Sequence, residues 1–123
     1  MSLIALIIDD SMLIRHTVGR FLEARGFAVE TATDGVAALE TLKIIRPDII
    51  FTDLKMPRLD GYALIDALKA NPETARIPVV VLAARPLSGD AKETGAHSII
   101  YKDLNVEEQL IQALENLFPS SLP

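Results

Sequence analysis

Apolar residues along this chain follow two alternating patterns, short runs and stripes spaced at helical intervals. Leu3 to Ile8 is a continuous apolar run, Ile77 to Ala84 is interrupted only by Pro78, and shorter runs lie at Phe27 to Thr31, Asp48 to Thr52 and Ser98 to Tyr101. Runs this short and this rich in β-branched residues suit strands of a buried parallel sheet. Between them come the stripes. Ile14, Val18, Phe21 and Leu22 follow the capping candidates Asp9, Asp10 and Ser11 and stop at Gly26. Val36, Leu39 and Leu42 follow Asp34-Gly35 and stop before Pro47, while Tyr62, Ile65 and Leu68 follow Asp60-Gly61 and stop near Asn71-Pro72. Each opens on a capping residue and closes on a breaker, as helices do. A last stripe, Val106, Leu110, Leu114, Leu117 and Phe118, opens with Asn105 and Glu108 in capping-box spacing. One interval breaks the pattern. Arg85 to His97 holds Pro86, Gly89 and Gly95 and almost no stripe, which predicts a short or irregular fourth helix of one or two turns.

Five strand-helix repeats in 123 residues predict an α/β fold, a doubly wound five-stranded parallel sheet with right-handed crossovers. The common strand order for such a sheet is 2-1-3-4-5, a flavodoxin-like arrangement with strands one and three side by side at the switch point where ligands bind. Residues 1–118 read as one domain, and the Pro-Ser-rich residues 119–123 as a disordered tail or the start of a linker.

Composition narrows the chemistry. There is no cysteine, which removes disulfides, thiolate catalysis and cysteine-ligated metals. Hydrophobic residues make up 50% of the chain, yet no run approaches the ~20 residues that span a bilayer, so no membrane association is expected. The N-terminus lacks a basic region and a cleavage site, which makes a cytoplasmic location the expectation. With a net charge of -5 and no Lys/Arg cluster, the chain offers no surface for nucleic acid.

The chemistry converges on Asp53. It ends the third strand run, and Pro57 forbids the strand to continue, so a carboxylate projects from a rigid strand into a loop. The predicted order brings Asp9 and Asp10, after strand one, into the same crevice, because neighbouring strands lie ~4.8 Å apart. Lys102 ends strand five, ~10 Å away, within reach of a long side chain. Each acid alone fits a helix cap or a turn; the three together with a Lys form a site. Clustered carboxylates repel and invite a cation, and an oxygen-only set suits Mg²⁺, whereas the site offers zinc neither Cys nor an obvious His. With Mg²⁺ held by Asp9 or Asp10, Asp53 and the Lys55 carbonyl, an Asp53 oxygen can attack a phosphoryl group to form an acyl phosphate, its charge met by Lys102.

Asp9-Asp10, Asp53 with Met56-Pro57 and Asp60-Gly61 behind it, and Lys102 together resemble the receiver domain of two-component response regulators, from Leu3 to about Phe118. The resemblance implies that Asp53 takes a phosphoryl group from a phosphohistidine on a histidine kinase or histidine phosphotransfer protein, with Asp9, Asp10 and Asp53 binding Mg²⁺. It also implies that Ile14 can touch the kinase, although the same residue fits a core position. Lys55 and Arg85 match positions flanking the path of attacking water and could tune the lifetime of the acyl phosphate; ordinary surface charge explains them as well. Three positions depart from the family pattern. Ala83 stands where a Ser or Thr hydroxyl usually meets the phosphoryl group, Ile99 where an aromatic residue completes the switch, and Asp103 where a Pro usually follows the Lys. Phosphorylation chemistry is thus expected with an atypical output relay. Such a domain is a signalling unit and no enzyme beyond catalysing its own phosphorylation and dephosphorylation.

Other readings stay open. A degenerate pseudo-receiver would serve as a phosphorylation-independent docking or dimerisation module, and the last helix has length enough to pair in a homodimer. A flavodoxin-type protein would want a Ser/Thr/Gly-rich phosphate loop after strand one, where Asp9-Asp10-Ser11 stands instead. A phosphohydrolase would need a further acid or base after Asp53, and none follows at a suitable spacing. His16 and His97 have no recognisable partner and read as surface residues rather than phosphodonors.

Overall fold

Successive side chains of a strand point to opposite faces of a sheet, so a strand buried on both faces is apolar along most of its length. The computed structural model, which describes residues 3–84, 94–103 and 105–119, follows that logic. Its strands are β1 (Ile4–Ile8), β2 (Ala28–Ala32), β3 (Ile49–Asp53), β4 (Val79–Ala83) and β5 (Ser98–Tyr101). Its helices are α1 (Met12–Ala24), α2 (Gly35–Leu42), α3 (Gly61–Ala70) and α4 (Val106–Leu117). The sheet is parallel in the order β2-β1-β3-β4-β5, as the strand-helix alternation predicts.

Two cores lie on the two faces. Leu6, Ile8, Ile50, Val79 and Val81 pack with α2 and α3 through Ala38, Leu42, Leu64, Ile65 and Leu68. Ala5, Ile7, Ile49, Phe51, Val80 and Leu82 pack with α1 and α4 through Val18, Leu22, Leu110, Ala113 and Leu114. β3 and β4 are buried along their whole lengths, whereas β2, at one edge, is largely exposed. At the other edge the Gln109 side chain exchanges two hydrogen bonds with the Tyr101 backbone, 2.8 Å from its N–H and 2.9 Å to its carbonyl.

Side-chain caps explain three of the four described helix starts. The side chains of Ser11, Asp34 and Asp60 accept from the N–H groups of Ile14, Ala37 and Ala63. Of the three candidates before α1, Ser11 is therefore the cap. Two expectations fail. Asn105 has φ 33° and makes no side-chain cap bond, because a cap that reaches the first turn needs an extended backbone. Tyr62 is 48% exposed: α3 turns Gly61, Leu64, Ile65 and Leu68 inward, and Tyr62 lies off that face. The irregular turns expected at residues 85–93 and the tail at residues 120–123 lie outside the described residues.

Candidate functional site

The register of the central strands assembles the site. Ile8 pairs with Thr52, so the residues that follow, Asp9 and Asp53, leave adjacent strand ends together. β3 runs one residue further than the sequence pattern suggests, which makes Asp53 its last member and fixes its backbone in the ladder. Asp9 is fully buried; its Oδ1 accepts from the Ser11 N–H at 2.9 Å. Asp53 is 8% exposed, and its Oδ1 accepts from the N–H groups of Leu54 at 2.8 Å and Lys55 at 3.4 Å. Lys102 arrives from the end of β5, where its own N–H donates to the Ala83 carbonyl. Its ammonium nitrogen lies 2.7 Å from Asp9 Oδ2 and 3.2 Å from Asp53 Oδ2. Asp10 is exposed, yet one oxygen each of Asp9, Asp10 and Asp53 lie within 4.8 Å of one another.

Burial raises the pKa of Asp9, against the lowering effect of the Lys102 and Ser11 hydrogen bonds, and the charge of Asp53 adds to the rise. For Lys102 burial acts downward, but the hydrogen bond to Asp9 and the charges of Asp9 and Asp53 outweigh it and leave the pKa raised. Both partners thus shift upward. The ammonium is firmly charged, while the buried Asp9 carboxylate is the reluctant ion, because one cation shared between two acids does not offset its lost hydration. A divalent cation would supply what is missing. The donor set is all oxygen, three carboxylates converge, and two of them have Oδ1 fixed by backbone N–H bonds, which fits Mg²⁺.

The remaining candidates divide. Ala83 is buried at the end of β4, and Ile99 packs half-buried against the α2/α3 core. Asp103 and Lys55 are exposed, and Arg85 lies outside the described residues. Ile14 is half-buried against the α1/α4 core, with part of its side chain open. His16 is exposed. His97 is not the unpartnered residue the sequence suggests: its Nδ1 accepts from the Val79 N–H at 3.1 Å, and burial, then the charge of Lys69, lower its pKa. Sequence reasoning also missed Arg15, whose guanidinium donates to the Asp9 carbonyl at 2.7 Å. Met12 and Leu13, 75% and 72% exposed beside the site, were legible, since both fall off the apolar stripe of α1. Arg58, paired with Asp34 across twenty-four positions, left no local signal.

Residues 5–115 match the response regulator receiver domain family. PilG of Pseudomonas aeruginosa is 37% identical over 121 residues, covering 96% of this chain and 89% of that protein. Other curated relatives are longer, and the chain spans only 15% to 48% of their lengths. Among solved structures, the chemotaxis response regulator CheY4 of Vibrio cholerae superposes with a TM-score of 0.86 at 29% identity, over 96% of this chain and 100% of that one. The manganese-bound form of response regulator Rcp1 gives 0.77 at 27% identity, over 98% of each chain.

Proposed function

The chain belongs to the response regulator receiver domain family, and from that premise we propose that Asp53 is its phosphoacceptor, charged from a phosphohistidine on a histidine kinase or phosphotransfer protein. The observation that carries this is the single ammonium of Lys102 standing between the buried Asp9 and Asp53, at the strand ends where an incoming anion must be met. An Asp53 oxygen bonds to phosphorus, the phosphorus–nitrogen bond of the donor breaks, and its electron pair returns to the imidazole. Lys102 balances the charge on the phosphoryl oxygens. Asp9, Asp10, Asp53 and the Lys55 carbonyl are the groups that would hold Mg²⁺, which supplies charge neutralisation between these acids and the phosphoryl group. The manganese-bound form of Rcp1 supports a divalent cation as the ligand.

Transfer and output separate here. Ala83 offers no hydroxyl and Ile99 no aromatic ring, so the usual pull on the end of β4 has nothing to act through. These two positions and Asp103 favour the second reading, a docking module that no longer turns over phosphate. Intact mass after incubation with acetyl phosphate and Mg²⁺ decides between them. A single added phosphoryl mass, absent in Asp53→Asn and in EDTA, is expected; no gain in the wild type leaves the docking module. The decay of that mass in Lys55→Ala reads the lifetime role, and an unchanged half-life removes it.

A further inference from the structure

The loop that leaves Asp53 is held at two places. At its far end a Cβ on Gly61 would stand 2.2 Å from the Asp53 carbonyl oxygen, and the Gly61 N–H donates to the Leu54 carbonyl at 2.9 Å. Two residues earlier the Leu59 carbonyl accepts from the Gly35 N–H at 3.1 Å, against the start of α2. Beside that contact Arg58 holds φ 70°, a left-handed backbone that a residue with a side chain adopts only when its surroundings demand it. Its guanidinium grips Asp34 with both arms, Nε to Oδ2 and Nη2 to Oδ1, each at 3.0 Å. A two-bond fork fixes direction as well as distance. Asp34 is 7% exposed and already committed as the N-cap of α2, so the anchor is a helix start and not a free side chain.

The same loop carries the N–H groups that hold the carboxylate of Asp53. The first two N–H groups of this loop, of Leu54 and Lys55, both bind Asp53 Oδ1, and Oδ2 is thereby left facing Lys102. We infer that Arg58 is a positioning residue: by clamping the loop to Asp34 it sets the backbone course that orients the Asp53 carboxylate for cation and phosphoryl group. For its consequence in transfer, this rests on the phosphoacceptor reading above. The Arg58 side chain is 58% exposed, so the pair contributes little to global stability, and its role lies in geometry.

The test uses Arg58→Gly, which accepts the left-handed backbone, Asp34→Asn, which keeps a capping side chain, and the double variant. Amide NMR spectra of the metal-free protein, Mg²⁺ titrations and uptake from acetyl phosphate are compared with wild type. Each single variant is expected to move the Leu54 and Lys55 amides and to weaken Mg²⁺ affinity and slow uptake by about tenfold, the low end of what losing the orientation of a metal ligand costs. The double variant should be no worse than either, since both break one interaction. Unmoved amides, unchanged Mg²⁺ affinity in a folded Arg58→Gly, or losses that multiply in the double variant would overturn the inference. If the wild type takes up no phosphoryl group, the phosphoacceptor reading fails by itself, and the amides and Mg²⁺ affinity still judge the clamp.

Discussion

Gly61 shows how little room single positions near this site leave. The atoms a Cβ would meet there are backbone, the Asp53 carbonyl oxygen and Leu54 Cα at 2.2 and 2.7 Å, and backbone in a central strand end has nowhere to go. Gly61→Ala should therefore destabilise the domain by about 3 kcal/mol, measured by urea unfolding. A loss under about 1 kcal/mol would mean that the loop after Asp53 shifts freely, against the rigidity argued for it. The Asp60-Gly61 pair was legible as a helix start, but the demand on Gly61 was not. Its cause is a close approach to residues seven and eight positions earlier, and no periodicity records that. The same holds for Arg58 and Asp34, whose meeting depends on how α2 and the loop after β3 are stacked.

At the scale of elements, α2 depends on Asp34. The Ala37 N–H bond lowers the pKa of this carboxyl first, burial opposes it, and Arg58 adds to the lowering. A carboxyl whose pKa is depressed in the folded state contributes stability that is present above its unfolded value, near 3.8, and is lost as pH falls through the folded value. Unfolding measured from neutral pH down into that acid range should show Asp34→Asn with a flatter acid branch than wild type. Parallel branches would sink the assignment. The elements themselves were readable because strand runs and helical stripes are local patterns. Where reading failed, tertiary packing had overruled the pattern: Tyr62 sits one step round α3 from the buried face, and Asn105 has the residue type of a cap without its backbone.

For the whole molecule, strand order carried the site. Once β1 and β3 are neighbours, Asp9 and Asp53 must meet, and Lys102 needs only the length of its side chain to join them. What sequence could not convey is the division of labour among their oxygens, which side-chain direction decides. Ala83 and Ile99 set the expectation for response. Amide spectra of the apo form and of a form carrying a phosphoryl mimic should differ near Asp53 and Lys102 and little elsewhere. Large shifts spread through β5 and the segment before it would contradict that. A last consequence concerns growth. A sheet with two receptive margins can recruit neighbours from both sides and lengthen into a ribbon, but here the Tyr101 peptide groups are already stoppered by Gln109. At the β2 margin, by contrast, two copies meeting about a twofold axis would close on each other, giving a pair instead of a fibre.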